Sequence, residues 1–287
     1  MNTRLYNLGK LRQSILVIMS ILLISTIIWK LFITKNKIIA KDYLLLASIS
    51  PDIIIAFQQN KPELWKDYVT VITAGQNLTV ESKENLLNTI LIQLDRGIDF
   101  QELNWYGIDK NIRKSAQYYR TLFDKYSVYT PGKYLFPLAQ TCYYIDTYGA
   151  DREGGLRSHQ GTDLFDKKGT PIFSVCQGTV EKLGWNRLGG ERVGVRGKDG
   201  NYYYYAHLET INQDLFISKE INKGELIGTM GNTGDAITTP VHLHFGIELL
   251  NGEWLNPYPL LKVWEYQRFD ITAKNEWCYF GLIEKTI

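Results

Sequence analysis

Glycine divides this chain. Five of its 24 glycines fall in residues 1–148 and nineteen in 149–287. Glycine supplies the left-handed backbone of tight turns and weakens a helix interior. The first half is therefore expected to be helical and the second to consist of short strands. Leu86, Leu87, Ile90, Leu91 and Leu94 recur at helical spacing behind Ser82 as an N-cap, and Ile108, Ile112, Ala116, Tyr119, Leu122 and Tyr126 form a second stripe opened by Asp109. Pro51 and Pro62 read as first-turn prolines of two more helices. Such stripes are core faces and carry no chemistry. In the second half, short apolar runs are punctuated by Gly189-Gly190, Asp199-Gly200 and Asn251-Gly252, the pattern of antiparallel strands joined by hairpins. Tyr129-Thr130-Pro131-Gly132-Lys133 reads as a hinge between the halves.

Ahead of both lies an apolar run. Gln13 to Trp29 carries no charge, and Leu31–Thr34 continue it past Lys30, whose ammonium can snorkel to an interface. About 20 apolar residues suffice to cross a bilayer. A cleaved signal peptide would have a shorter apolar region followed by a small-residue cleavage site. Here Lys35-Asn36-Lys37-Ile38-Ile39-Ala40-Lys41 follows instead, so an uncleaved anchor is expected. Basic residues flank the run on both sides, so loop charge does not set its orientation. With 45% hydrophobic and 22% charged residues the rest is ordinary globular material, and a net charge of +2 gives no electrostatic case for nucleic acid. Cys142, Cys176 and Cys278 are too few for a disulfide scaffold, and no two form a CxxC pair.

The chemistry gathers in the four histidines. Residues 241–249 alternate strictly: Val241, Leu243, Phe245, Ile247 and Leu249 on one face, His242, His244, Gly246 and Glu248 on the other. Such a strand buries its apolar face and presents two imidazoles on the other. In His159-Gln160-Gly161-Thr162-Asp163, a histidine and an aspartate stand four apart around a glycine that permits a tight turn, so both can converge on one ion. His207 shares the parity of Tyr203 and Tyr205 on an aromatic strand. Two histidines and a carboxylate leave a tetrahedral zinc with one open position, the catalytic arrangement. The remaining imidazoles can move protons or support an oxyanion.

With these residues in order, the sequence resembles the LytM/lysostaphin-type zinc metallopeptidases of family M23, which cut peptidoglycan peptides. Its two signatures, H-x-x-x-D and H-x-H, stand as His159…Asp163 and His242-Leu243-His244. Gly169-Thr170-Pro171, Tyr205-Ala206-His207-Leu208, Lys223-Gly224-Glu225-Leu226, Gly231-Asn232-Thr233-Gly234 and Asn256-Pro257-Tyr258-Pro259 agree, and the match covers about residues 130–262. The resemblance implies that His159, Asp163 and His244 hold one Zn²⁺ and that His207 and His242 form the catalytic pair beside it. It implies a mainly antiparallel β fold, the LytM-like sheet domain, and the residues ahead of it add a transmembrane helix and a small α-helical domain. The expected divisions are a short segment 1–12, an anchor 13–34, a helical domain 35–128, the peptidase domain 129–265 and a tail 266–287 that packs back on a domain. The implied function is zinc-dependent endopeptidase cleavage of peptidoglycan peptides by a chain fixed in the bacterial cell membrane by a single pass, its catalytic domain extracytoplasmic. The alternative is a non-catalytic or latent scaffold or activator of the same fold in a membrane-associated cell-wall complex; the helical domain would cover the groove, dimerise or act as a spacer, and a regulatory protein is a further expected partner. Two departures from the family pattern stand out: Gly189-Gly190-Glu191-Arg192-Val193-Gly194 along one groove wall, and Cys176, read as core packing.

Overall fold

In the computed structural model the described residues are 2–152 and 154–269, with the side chains of residues 2–17, Val80 and Leu87 excepted. The N-terminal run forms one helix, α1 (Asn2–Ala47), whose Ile18–Ala47 portion is long and apolar enough to cross a membrane. Its apolar side chains from Ile18 to Ile33 are exposed. The hydroxyls of Ser25, Thr26 and Thr34 bond back to carbonyls three or four residues earlier, at 2.8–2.9 Å, so these polar groups are satisfied inside the helix. Helix α1 does not break after residue 34. It continues into the body, where Ala40, Tyr43 and Leu46 form a buried stripe three residues apart.

Helices α2 (Pro51–Asn60), α3 (Trp65–Ala74), α4 (Val80–Leu86), a π turn over Leu87–Leu91, α5 (Ile92–Asp95) and α6 (Lys110–Lys125) complete the helical part. Pro51 opens α2 as a first-turn proline should. Pro62 instead lies in the turn ahead of α3. Asp109 caps α6, accepting from the Asn111 N–H at 2.6 Å. Ser82 is not the cap of α4; Thr79 is, its hydroxyl accepting from the Ser82 N–H at 3.3 Å.

The glycine-rich half supplies two sheets. A small one pairs β1 (Asp151–Arg152) with β2 (Arg157–Ser158). The large antiparallel one contains β3 (Thr162–Phe165), β4 (Pro171–Phe173), β5 (Gly178–Asn186), β6 (Gly190–Gly197), β7 (Tyr202–Ile211), β8 (Glu220–Ile221), β9 (Leu226–Met230), β10 (His242–Glu248) and β11 (Trp254–Leu255). Its order is β11-β10-β7-β6-β5-β8, with β3 also on β10 and β9 joining β4 to β7. Asp199-Gly200 and Asn251-Gly252 stand between paired strands, while Gly189-Gly190 ends the β5–β6 turn and opens β6. Helix α7 (Tyr258–Phe269) follows, running through residue 265 into the expected tail. Cys278 and the rest of that tail lie outside the described residues.

The first residue of the expected hinge 129–133 is locked into the core. Tyr129 is buried; its hydroxyl donates to the Leu46 carbonyl at 3.1 Å, and its own carbonyl accepts from Gln58 and Gln267 at 2.7 and 2.8 Å. Trp264 of α7 donates to the neighbouring Val128 carbonyl at 2.8 Å, stacks on Tyr134 at 5.1 Å and meets Phe245 of β10 edge-on at 6.4 Å. The Asp199 carboxylate, at the β6–β7 turn, accepts from Tyr203, Tyr134 and, at 3.3 Å, Tyr43 of α1. Cys176 is buried and Cys142 half-buried; both are free, and burial pushes the Cys142 thiol up to about 12. One hydrophobic core thus runs through helices and sheet.

Candidate metal centre

Strand β10 builds the centre. Leu243, Phe245, Ile247 and Leu249 are buried, and the opposite face of the strand looks into a cleft of about 900 Å³. Strand β3 pairs alongside so that Asp163 stands directly opposite His244. The glycine between His159 and Asp163 is required for space rather than for a turn: a Cβ on Gly161 would meet the His244 ring at 2.5 Å, and its φ is not positive. Three atoms result at the corners of a triangle: His159 Nε2, Asp163 Oδ1 and His244 Nδ1, each 3.0 Å from the other two.

These groups could hold a metal ion. His159 Nδ1 lies 3.1 Å from the Thr147 carbonyl, an acceptor only, so that nitrogen carries the proton and Nε2 turns a lone pair inward. The Asp163 carboxylate divides its oxygens, Oδ1 toward the histidines and Oδ2 accepting from Arg152 at 2.8 Å. Edges of 3.0 Å are close to the ~3.3 Å of a tetrahedron with zinc–ligand bonds of about 2.0–2.1 Å. Two imidazoles and one carboxylate oxygen are a zinc-type donor set, and the residues fit that ion.

His242 and His207 complete the constellation. His242 Nε2 is 3.8 Å from Asp163 Oδ1, and its Nδ1 meets the Pro240 carbonyl at 2.8 Å. His207 meets the Thr233 carbonyl through Nδ1 at 2.8 Å, and its ring centre is 4.9 Å from that of His242. Both rings therefore turn a lone-pair Nε2 away from a backbone acceptor. Burial, with the neighbouring His244, pulls the His207 pKa down to about 4.

Strand parity placed His207 with Tyr203 and Tyr205, and the structure corrects this. Those tyrosines are buried beneath the sheet, whereas His207 lines the cleft. The cause is a bulge: Glu191 pairs with Leu208 and Val193 with Tyr205, so Ala206 and His207 together face Arg192. His207 takes the left-handed conformation at φ 61°, which flips its side chain to the other face. All five expected site residues thus share one cleft. Sequence reasoning missed Arg152 and Thr147, which orient them, and gave Thr233 no role beyond its place in Gly231-Asn232-Thr233-Gly234; a single arginine or threonine carries no local signal of that role. Every described residue lining the cleft lies between 152 and 254, so no described residue of α1–α6 lines it.

An antiparallel sheet thus presents a His-Asp-His triangle that could hold a metal ion, beside two further imidazoles. Residues 157–257 match Peptidase family M23, and the chain carries that domain. It is 38% identical over 183 residues, 60% of its length, to an L-Ala--D-Glu endopeptidase of Bacillus subtilis. It is 36% identical over 104 residues (36% of the chain) to the peptidoglycan DD-endopeptidase ShyC of Vibrio cholerae, and 31% identical over 123 (41%) to the glycyl-glycine endopeptidase ALE-1 of Staphylococcus capitis. These alignments span 55%, 23% and 33% of the relatives' own lengths.

Proposed function

We propose that this chain is a zinc-dependent endopeptidase that hydrolyses a peptide bond in the stem peptides of bacterial peptidoglycan. The observation that carries the proposal is the triangle of lone pairs at 3.0 Å, flanked by two backbone-oriented imidazoles in an open cleft. His159, Asp163 and His244 would hold the ion. Zinc there supplies a Lewis acid for the scissile carbonyl and an acidified water at neutral pH. His207 and His242 are the proton-handling pair: each keeps its Nδ1 proton on a carbonyl and offers Nε2 to the reacting groups. Arg152 holds Asp163 to one inward oxygen.

Among the relatives, the 38% identity to an L-Ala--D-Glu endopeptidase favours that bond over a glycine bridge. Helix α1 serves as a single membrane pass, with the body outside the cytoplasm where peptidoglycan lies. The open cleft favours an active enzyme over a latent one. The test is metal analysis and mass spectrometry of released muropeptides for the detergent-solubilised full chain beside His159→Ala. One zinc per chain and cleavage, both lost in the variant, support the proposal. Zinc without cleavage would favour a scaffold, and absence of zinc would sink the metal centre.

A further inference from the structure

Two ion pairs form among the charges lining the cleft, and one of the cations outside them stands apart. The cations are Arg152, Arg157, Lys182, Arg187 and Arg192; the carboxylates are Asp163, Asp235 and Glu248. Arg152 is bound to Asp163 and Arg157 to Asp235, each at 2.8 Å. Lys182 lies over the Tyr202 ring at 5.4 Å, and Arg187 is exposed on the β5–β6 turn. Arg192 differs from these. It is half-buried, pairs with no carboxylate among the described residues, and its Nη1 is buried without a hydrogen-bond acceptor. Native structures rarely leave a buried guanidinium donor unmet, and one that lines an open cleft is met by what enters the cleft.

The register says what it would meet. Ala206 stands opposite His244, and the bulge that turns His207 into the cleft sets Ala206 and His207 opposite Arg192. The metal ligand, the bulged histidine and the arginine therefore lie in one row across β10, β7 and β6. Two strand spacings separate the ends of that row, about 10 Å. About 10 Å is three residues of extended peptide at ~3.3–3.6 Å each, and the long arginine side chain spans part of that gap, so the group it meets belongs to a residue near the bond held over the triangle. A planar guanidinium matches a carboxylate with two parallel hydrogen bonds. Lys182, paired in register with Gly194 on the next strand, adds a second positive charge.

We propose that Arg192 is the specificity-determining residue of this cleft, binding a carboxylate carried by a substrate residue beside the scissile bond, so that the chain selects acidic stem peptides over neutral ones. The inference rests on the peptidase reading and deepens it. A glutamyl residue joined through its amine and one carboxyl keeps a second carboxyl free, which is the group required.

The experiment uses stem peptides containing L-Ala–D-Glu, with the free glutamyl carboxyl intact or converted to a carboxamide. Binding by calorimetry and cleavage by mass spectrometry are measured on the zinc-loaded full chain in detergent, for wild type, Arg192→Gln and Arg192→Lys. Wild type is expected to favour the acid by about 10–100-fold, the range of a charge-assisted hydrogen bond. Arg192→Gln should lose that preference, with its loss falling far more on the acid than on the amide, and Arg192→Lys should recover part of it. Equal binding of acid and amide by wild type, or the same loss on both peptides in Arg192→Gln, overturns the inference. Arg192-dependent binding of the acid with no cleavage of either peptide keeps the subsite and refutes the peptidase reading instead.

Discussion

Replacing Trp264 by alanine probes how the helical part and the sheet are joined. The indole is fully buried, stacks on Tyr134, touches Phe245 of the strand that carries His244, and donates to the Val128 carbonyl. Burying an aromatic side chain removes some 150–250 Å² from water, about 4–6 kcal/mol at ~25 cal/mol per Å². Measured tryptophan-to-alanine costs of about 3–5 kcal/mol agree. For a chain of this size each kcal/mol lowers Tm by roughly 2–4 °C, so a drop of about 6–20 °C is expected. The assay is thermal unfolding followed together by far-UV circular dichroism, for the helices, and near-UV dichroism, for the packed aromatic rings. A shared core requires both signals to shift as one transition. Helices that melt at the wild-type temperature while the aromatic signal moves, or a loss below about 1 kcal/mol, would refute the single-core reasoning.

Three further outcomes follow from the site. His207→Ala and His242→Ala should each lower kcat by about 10²–10⁴-fold, the span of general acid–base catalysis, with zinc content by metal analysis unchanged. Because the folded pKa of His207 lies at about 4, below its unfolded value, the unfolded chain binds more protons between those values and stability must fall as pH drops from about 6.5 to 4. Melting temperatures across that window should show the decline, and His207→Gln should flatten it. A Cβ at Gly246 would lie 2.6 Å from the Trp254 ring, so Gly246→Ala should displace that indole, shift the fluorescence and cost about 1–3 kcal/mol; an unchanged spectrum would show the ring is not seated there.

Where local chemistry decides, the sequence can be read directly. The alternation in 241–249 gave β10 its buried and cleft faces, and Asp109 announced α6. It failed where a distant contact decides. His207 escaped its strand parity because a bulge against β6 reverses the side chain, and nothing in Tyr-Tyr-Tyr-Ala-His signals a left-handed residue. Pro131 and Gly132 looked like a hinge, yet partners from α1, α2 and α7, far off in sequence, hold the adjoining Tyr129. Ser82 and Thr79 both suit a cap; only the hydrogen bond chooses. Gly161 was read as a turn residue, while its service is to let the His244 ring lie against the backbone of β3's approach.

Helix α1 enters the core without a joint, so the body rides on it as on a rigid shaft. Tyr43 grips the β6–β7 turn, Leu46 accepts from Tyr129, and Asn36 reaches the Leu250 carbonyl at 3.4 Å beside the β10–β11 turn. Each residue added near position 35 would turn the cleft by about 100° about the helix axis and lift it by about 1.5 Å. Seven added residues would restore nearly the original bearing some 10 Å further out. The direction in which the cleft faces is thus set by the count of residues in the shaft.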